Sequence, residues 1–288
     1  MRWRCVPAVA LVALFALCTS AARAQPVSAE EVPYVRTPQA VVDKMLDLAD
    51  VGVDDFLIDL GSGDGRIVIT AAQQRGARGF GVELDSSLVE ASNEAARKAG
   101  VDDRARFFAR DLFDTDIHEA TVLTMYLLPS VNIQLRPRLL TQLKPGTRVV
   151  SHDWDMGEWR ADAKAVLQGQ AKPVMPMKTS TVYLWIVPAK VAGTWKVQLE
   201  GEKPESMEIE FTQRFQEIDG VATRTRGRTL FQSAHLRGPE IRFALIDETR
   251  RPSEPLHFFG RVYGDTMEGT MVKGTTANGA RWHARRGG

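Results

Sequence analysis

Cysteine is nearly absent from this sequence. Only Cys5 and Cys18 occur among the 288 residues, and both lie within the first 24. If that first segment is removed, the remaining chain can form no disulfide, has no cysteine nucleophile and offers no thiolate to a metal. Disulfide scaffolds, cysteine-dependent enzymes and thiolate metal centres are therefore excluded as interpretations of the mature chain.

The first 24 residues have the organisation of a secretory signal peptide. Arg2 and Arg4 form a short basic start, Ala8–Leu17 is wholly apolar, and Ala22-Arg23-Ala24 has the A-x-A pattern of a cleavage site. The apolar run is too short to span a bilayer comfortably. We therefore predict cleavage before Gln25, a periplasmic or secreted protein, and no stable membrane span.

The sequence also lacks a strong charge of either sign. Its formal net charge is +1, and cleavage removes Arg2, Arg4 and Arg23 but no acidic residue, which leaves −2. A near-neutral chain has no general electrostatic attraction to nucleic acid, so no nucleic-acid partner is expected. With 44% hydrophobic and 25% charged residues, the composition is that of a globular protein with one large domain or two smaller ones.

Between residues 32 and 188, short apolar runs alternate with segments of helical periodicity. This alternation predicts an α/β domain, in which helices cover both faces of a mostly parallel sheet. Thr37-Pro38 is typical of a helix start with a threonine N-cap, and Ser87 with Glu90 matches the S-x-x-E capping box of another helix. The runs that predict strands are 56–60, 79–84, 105–109, 122–126, 147–152 and 181–187.

After residue 188 the helical periodicity disappears, and apolar residues alternate with polar ones. This pattern predicts an antiparallel all-β domain over residues 191–285, a sandwich or small barrel of seven or eight strands. We interpret it as a substrate or partner module, and its short linker predicts contact with the first domain. The predicted turns are Asp219-Gly220, Gly238-Pro239, Gly264-Asp265 and Asn278-Gly279. The predicted core aromatics are Phe211, Phe215, Phe243 and Phe258.

The segment "FLIDLGSGDGRIVI" places three alternate glycines between two apolar runs. Asp59 lies near the carboxyl edge of the predicted sheet, which is where parallel folds bind their ligands. Gly61 permits a sharp turn, Gly63 lets a ligand approach the backbone, and Gly65 allows close packing as the next helix begins. The segment therefore predicts a ligand-binding loop.

Other glycine-loop classes fit this segment poorly. The dehydrogenase fingerprint G-x-G-x-x-G requires a glycine where Arg66 stands, and no G-K-S/T follows to make a Walker loop. No hydride-transfer site is recognisable either. A NAD-dependent oxidoreductase is therefore a disfavoured alternative. Binding competition between NAD and other nucleoside ligands would test it.

Two acidic residues at later strand ends point to a nucleoside. Glu83 ends the second predicted strand, where a carboxylate can accept hydrogen bonds from both ribose hydroxyls. Asp111-Leu112 follows the third predicted strand. Each acid alone has a plain alternative, as a helix cap for Glu83 and as a turn residue for Asp111. Their order and their positions at strand ends favour a nucleoside site.

The motif D-x-G-x-G-x-G over residues 59–65 resembles the first motif of the class I S-adenosylmethionine (SAM) methyltransferases. The segments "PYVRTPQAVVDKML", "DLGSGDGRIVI" and "ARFFARDLF" resemble a small branch of protein-lysine methyltransferases, which includes the enzyme that modifies the c subunit of ATP synthase. The resemblance spans about residues 33–187. It implies a Rossmann-like sheet of seven strands with one antiparallel strand, and SAM as the cofactor.

The resemblance also implies which residues bind the cofactor. Asp59, Gly61 and Gly63 would hold the methionine end of SAM, Glu83 the ribose and Asp111 the adenine. Tyr34 would favour the sulfonium through its aromatic face, although plain packing explains it equally well. The full set is Tyr34, Thr37, Asp59, Gly61, Ser62, Gly63, Gly65, Glu83, Asp111 and Leu112.

The methyl acceptor is open between a protein lysine and a small molecule. Residues 125–129, "MYLLP", keep only the general shape of the N-P-P-Y motif of many amino-group methyltransferases, so amide or base methylation is not supported. The candidate catalytic residues are Tyr126, His152 and Asp153, and a plain polar loop is the alternative for the last two. No metal is expected, since close ligands in one loop rarely complete a coordination shell.

A second function of a different class is an exported, non-catalytic protein that binds a nucleoside or another ligand on a methyltransferase-like fold. The predicted signal peptide favours this alternative, because SAM is made in the cytoplasm. Binding of SAM and retention of methyl transfer separate the two hypotheses.

Overall fold

The computed structural model of the protein describes residues 34–169, 179–201, 204–224, 227–246, 254–274 and 279–287. The predicted signal peptide lies outside these residues. Within them, no helix combines the length and the apolar character needed to span a bilayer.

The described part of the first domain contains four helices and seven strands. The helices are α1 (Gln39–Leu48), α2 (Arg66–Arg75), α3 (Ser86–Lys98) and α4 (Pro129–Gln142). The strands are β1 (Phe56–Leu60), β2 (Arg78–Glu83), β3 (Ala105–Ala109), β4 (Val122–Met125), β5 (Arg148–His152), β6 (Ala163–Gln168) and β7 (Thr179–Ile186).

The seven strands form one sheet in the order β3-β2-β1-β4-β5-β7-β6. Strands β1 to β5 pair in parallel, and β7 runs antiparallel to both β5 and β6. The predicted Rossmann-like sheet with one antiparallel strand is therefore confirmed. Strand β6 was not individually predicted, because its alternately exposed residues "AKAVLQ" make no apolar run.

Helices cover both faces of the sheet. Val41 and Met45 of α1 and Val68 of α2 pack on one face, in a cluster that includes Leu57. Leu135 of α4 packs on the other face in a second cluster. Each fully buried aliphatic side chain contributes about 1.5–3 kcal/mol, and this packing fixes the carboxyl ends of β1 to β5 at one edge.

Two predicted helix caps were wrong. Helix α1 has Pro38 as its N-cap without a side-chain cap, because Thr37 Oγ1 lies 3.4 Å from His152 Nδ1 instead. Helix α3 is capped by Asp85, whose carboxylate accepts from the backbone N–H of Ser87 at 2.8 Å. The S-x-x-E pattern therefore begins inside the first turn of the helix, too late to act as a capping box.

The described part of the second domain is a closed antiparallel barrel of eight strands. This confirms the all-β prediction and selects a small barrel over a sandwich. The strands are β8 (Gly193–Leu199), β9 (Glu205–Arg214), β10 (Glu217–Arg224), β11 (Gly227–Arg237), β12 (Glu240–Ile246), β13 (Pro255–Tyr263), β14 (Thr266–Lys273) and β15 (Ala280–Arg286).

Turn chemistry was predicted correctly at Gly238-Pro239 and Gly264-Asp265, which connect β11 to β12 and β13 to β14. Asp219-Gly220 was wrong, because both residues lie inside β10. Gly220 is needed there for packing, since a Cβ would lie 2.9 Å from the Phe231 ring. Asn278 lies outside the described residues.

Aromatic side chains fill the barrel. The Phe243 ring lies 4.9 Å from that of Phe231 and 4.6 Å from that of Phe258, and both pairs are stacked. Phe211 and Trp282 contact Phe243 edge-on. Phe215 was wrongly predicted to belong to this core, because its ring packs on the first domain, against the cluster that contains Trp159.

Removal of the central ring is expected to destabilise the barrel. Phe243→Ala should lower its free energy of unfolding by about 3–5 kcal/mol, since the cavity cannot collapse among several fixed rings. Urea denaturation measures this loss. Phe259→Ala is the matched control, because Phe259 is exposed on the same barrel and its loss should cost under about 1 kcal/mol. Equal losses in the two variants would contradict a core centred on Phe243.

Candidate active site

The glycine loop connects β1 to α2 through left-handed backbone. Gly61, Gly63 and Gly65 have φ angles of 75°, 52° and 76°. The backbone N–H groups of Gly61 and Ser62 both donate to Val82 O, at 3.0 and 2.9 Å. These bonds tie the loop to the carboxyl end of β2 and hold it at the edge of the sheet.

Side chains of other elements occupy the space that a larger residue would need in this loop. A Cβ on Gly63 would lie 2.4 Å from the Tyr34 ring, and one on Gly65 would lie 2.6 Å from Phe107. Gly65 therefore permits the close packing that the sequence predicts. Gly63 allows Tyr34 to lie directly against the loop.

A cleft of about 790 Å³, counted with the part that opens to solvent, lies over this loop. Its lining includes nine of the predicted site residues: Tyr34, Thr37, Asp59, Gly61, Ser62, Gly63, Glu83, Leu112 and Tyr126. Gly65, Asp111, His152 and Asp153 are not among the described residues that line it. The structure thus brings together most of a set that is scattered over 93 positions from Tyr34 to Tyr126.

Asp59 lies at the floor of the cleft and is 1% exposed. Its Oδ1 accepts from the Thr124 hydroxyl at 2.7 Å, whereas Oδ2 has no hydrogen-bond partner among the described residues. Burial raises the pKa of Asp59 to about 7; the Thr124 hydrogen bond opposes this rise, and the charges of Glu83 and Asp64 add to it. Within the described part of the chain, Asp59 is therefore a buried carboxylate without a cationic partner.

Ser62 provides a second unpaired polar atom at the cleft. Its side chain is buried, and its Oγ has no partner among the residues that the structure describes. Buried polar groups in proteins are nearly always hydrogen-bonded. Two such groups in one cleft fit a polar ligand that is buried there.

The Glu83 carboxylate is oriented by backbone donors. Its Oε2 accepts from Gly63 N at 3.0 Å, and its Oε1 accepts from Leu84 N at 2.8 Å and from Asp85 N at 3.3 Å. A carboxylate oxygen can accept two hydrogen bonds, so Oε2 retains a lone pair at the cleft. Glu83 therefore links the glycine loop to β2 and faces the ligand space.

An ion-pair network that the sequence interpretation missed closes one side of the cleft. Arg66 donates to Asp64 Oδ2 at 2.5 Å and to the backbone oxygen of Thr37 at 2.8 Å. Arg36 Nε donates to Tyr34 Oη at 3.2 Å and lies 3.6 Å from Asp64 Oδ2. Arg66, which departs from the dehydrogenase fingerprint, holds the segment before α1 over the loop through its bond to Thr37 O.

Asp64 is tuned by this network. Burial by itself would raise the pKa of Asp64, but hydrogen bonds and charge from Arg66 lower it overall. Asp64 is therefore ionised in the neutral range and keeps Arg66 in place. The adjacent letters D-G-R in the sequence were the available signal for this pair.

Beyond β3, Leu112 and Arg110 line the cleft, whereas Asp111 is turned into its own loop. Asp111 Oδ1 accepts from Phe113 N at 2.8 Å, and its backbone oxygen accepts from the Thr115 hydroxyl. The carboxylate shapes the turn that presents Leu112, and its contact with adenine stays a prediction.

Tyr126, His152 and Asp153 form one cluster at the ends of β4 and β5. The Tyr126 hydroxyl donates to Asp153 Oδ2 at 3.2 Å, and the Tyr126 and His152 ring centroids are 3.9 Å apart. His152 is fully buried, with Nε2 lying 3.0 Å from Ser180 Oγ. Of the three candidates, only Tyr126 is among the described residues that line the cleft.

The cluster has a defined charge state. Burial, and then the negative charge of Asp153, raise the pKa of Tyr126 above its ordinary value, so Tyr126 is a neutral donor. Asp153 exchanges two hydrogen bonds with the backbone of Thr181, at 2.6 and 3.0 Å. Asp153 is thus an anchored carboxylate behind an aromatic ring, and a catalytic role for this cluster stays a prediction.

Comparison with known proteins identifies the family of the first domain. The sequence profile of the ANTKMT methyltransferase domain matches residues 59–163. A protein-lysine N-methyltransferase of Saccharolobus islandicus is 43% identical over 157 residues, which are 54% of this chain and 94% of that protein. The ATP synthase c-subunit lysine N-methyltransferase of Mus musculus is 36% identical over 106 residues, which are 37% of this chain and 42% of that protein.

The crystal structure of an RNA methyltransferase from Salinibacter ruber, in complex with S-adenosyl-L-homocysteine, is also similar. It is 54% identical, superposes with a TM-score of 0.50, and the match covers 55% of this chain and 96% of that chain. The chain therefore belongs to the class I SAM-dependent methyltransferases, in the branch of the protein-lysine methyltransferases, and SAM is its cofactor.

Proposed function

We propose that this enzyme methylates the side-chain amino group of a lysine in a protein substrate. The observation that carries the proposal is the juxtaposition of Tyr126 and Asp153 where the cofactor cleft ends. An aromatic ring backed by a buried carboxylate suits an ammonium group, through charge attraction and through the ring face. Relatives that are lysine methyltransferases support the same acceptor.

We infer that the residues of the cleft hold SAM in one orientation. Asp59 Oδ2 and Ser62 Oγ have no hydrogen-bond partner among the described residues and fit the polar methionine end, beside the left-handed backbone of the glycine loop. Glu83 would accept from one ribose hydroxyl through the free lone pair of its Oε2. Leu112, with Asp111 behind it, would border the adenine, and the segment from Tyr34 to Thr37 would cover the cofactor.

SAM supplies a methyl group on a positively charged sulfur. The protein must then align the acceptor and keep water away. Tyr126 borders the cleft and orients Asp153, whose charge behind the ring would attract a lysine ammonium that reaches this edge. The segment that Arg66 pins before α1 limits access of water from the other side.

RNA is the second candidate acceptor, because the similar Salinibacter ruber enzyme is an RNA methyltransferase. Two observations favour lysine over RNA. Residues 125–129 carry no N-P-P-Y motif, and the near-neutral chain has no general attraction to phosphate.

Methyl transfer from labelled SAM tests the acceptor directly. We expect label in protein and methyl-lysine on mass spectrometry when the enzyme is given protein extract and total RNA in parallel. Tyr126→Phe should lower kcat roughly 10- to 100-fold, since a hydrogen bond to a charged group is worth about 1.5–3 kcal/mol. Tyr263→Phe is the matched control on the exposed barrel surface. Label in RNA alone, or a wild-type rate for Tyr126→Phe, would refute the proposal.

Asp59→Asn is expected to weaken SAM binding by about 1.5–3 kcal/mol, because the variant cannot pair with the ammonium of the methionine end. Wild-type affinity should also fall below pH 7, as Asp59 takes up a proton with a pKa of about 7. Calorimetric titration at pH 6 and pH 8 measures both effects. Asp102→Asn is the control, as Asp102 is exposed and does not line the cleft. Unchanged binding by Asp59→Asn would remove Asp59 from the site.

The same substitution should have the opposite effect on the stability of the protein without SAM. The pKa of Asp59 is 3.8 in the unfolded chain and about 7 when folded. Its contribution to stability is therefore complete below pH 3.8 and is lost as the pH rises through about 7. Asp59→Asn resembles the protonated form, so it should raise the free energy of unfolding at pH 8 and change little at pH 4. Destabilisation by Asp59→Asn at pH 8 would contradict this sign.

We propose that the enzyme is exported. The basic start, the apolar run Ala8–Leu17 and the A-x-A pattern before Gln25 support export. Fractionation of expressing cells should recover the protein outside the cytoplasm with Gln25 as its first residue by mass spectrometry. A cytoplasmic protein that retains residues 1–24 would refute the proposal.

A further inference from the structure

We propose that the barrel positions the acceptor edge of the active site, and that Phe215 is the residue through which it does so. The inference rests on the proposed function, in which Tyr126 and Asp153 receive the lysine. It gives the second domain a role in catalysis through the loop that follows β5, residues 153–159.

Phe215 lies at the tip of the β9–β10 hairpin, and its ring leaves the barrel. It stacks on Trp159 with ring centroids 6.2 Å apart and an interplanar angle of 18°. Trp159 is fully buried, although it belongs to a loop. The guanidinium carbon of Arg136, from α4, lies 5.5 Å from the centroid of the Phe215 ring. A barrel residue thus completes the hydrophobic core of the first domain.

The hairpin tip is held in a backbone conformation that favours glycine. Phe215 has a φ of 57°, which is disfavoured for any residue with a Cβ. Gln213 stabilises it by donating to Phe215 O at 2.7 Å and to Ala189 O at 2.8 Å. Gln213 Oε1 also accepts from Val191 N at 2.7 Å, so the tip is fixed to the interdomain linker. The turn itself does not require a large side chain at position 215. The ring is required for the contact with Trp159.

Three polar contacts join the same hairpin to the end of the 153–159 loop and the residue after it. Arg214 pairs with Glu158 at 2.8 Å, and Gln216 donates to the backbone oxygen of Arg160 at 2.6 Å. Arg160 and Glu217 lie 3.4 Å apart. The exposed ion pairs are individually weak, but the set directs the hairpin to this loop.

The first domain holds the other side of the loop. Asn132 donates to Trp154 O at 3.1 Å, and Arg136 donates to Met156 O at 2.8 Å. Trp185 Nε1 donates to Trp159 O at 2.7 Å. Arg136 therefore binds the loop through its side chain while it contacts Phe215, which couples the hairpin to α4 and to the loop at once.

The loop begins at Asp153, the partner of the Tyr126 hydroxyl. Loss of the Phe215 ring would uncover Trp159 and loosen the loop at its far end, and the shift would reach Asp153 through five intervening residues. The glycine loop lies between β1 and α2, and Glu83 ends β2. Both lie on the other side of β4 and β5 in the sheet from the hairpin contacts. Phe215 is therefore a positioning residue for the acceptor step alone.

The test separates catalysis from cofactor binding. Phe215→Ala should lower kcat for lysine methylation roughly 10- to 100-fold, since small misplacement of a reacting group has effects of this size. The Kd for SAM should stay within about twofold of wild type. Phe215→Tyr should restore the rate, and Phe215→Leu, which keeps an apolar side chain that packs without a ring, should be intermediate. Phe259→Ala is the control on the exposed barrel surface and should leave the rate unchanged.

Hydrogen exchange gives a readout that does not depend on the acceptor. The backbone amides of residues 153–159 should exchange faster in Phe215→Ala and at the wild-type rate in Phe259→Ala. If the wild type methylates no lysine, exchange still decides whether the hairpin holds the loop, so the failure of the proposed function is recognised separately. The inference would be overturned if Phe215→Ala left hydrogen exchange in residues 153–159 or kcat at the wild-type value. It would also be overturned if Phe215→Ala weakened SAM binding by the same factor as it lowered kcat.

Discussion

The left-handed turn that follows β1 is the constraint on which the site depends. Because Gly61 N and Ser62 N both donate to Val82 O, the turn is hydrogen-bonded to the carboxyl end of β2. Glu83 then reaches Gly63 N, and Asp59 is left facing the same cleft. Any residue with a Cβ at position 63 would displace Tyr34. The turn therefore fixes the floor and the cover of the cofactor cleft together.

The buried carboxylate of Asp59 has no cationic partner among the described residues, and a cationic ligand in the cleft would provide one. A buried carboxylate without a cation is unfavourable, which is why burial raises the pKa of Asp59. Without SAM, the unpaired Asp59 carboxylate lowers the stability of the fold. The ammonium group of SAM would pair with it. On the proposed acceptor side, the neutral Tyr126 hydroxyl donates to the buried Asp153 carboxylate, which would attract a second cation. In the proposed reaction, Asp59 would bind the ammonium group of SAM and Asp153 would attract that of the lysine.

The sequence predicted the sheet and the cofactor cleft because strand ends and glycine spacing are local signals. It could not assign Phe215, since alternation shows that a residue points away from solvent but not which domain buries it. It misjudged Asp219-Gly220 because Gly220 answers a packing need inside a strand. Thr37 was predicted to cap a helix, but it contacts His152, which is 115 positions away in the sequence. Such long-range contacts leave no trace in local periodicity.

The two domains act as one enzyme in this account, with the cofactor held by β1 and β2 and the acceptor edge supported by the barrel. A crystal structure of the protein with S-adenosyl-L-homocysteine tests the central claim most directly. The account predicts the methionine amino group within hydrogen-bonding distance of Asp59 Oδ2 and a ribose hydroxyl on Glu83 Oε2. It would be contradicted by a nucleoside that binds elsewhere, or by one that occupies this cleft without touching either carboxylate.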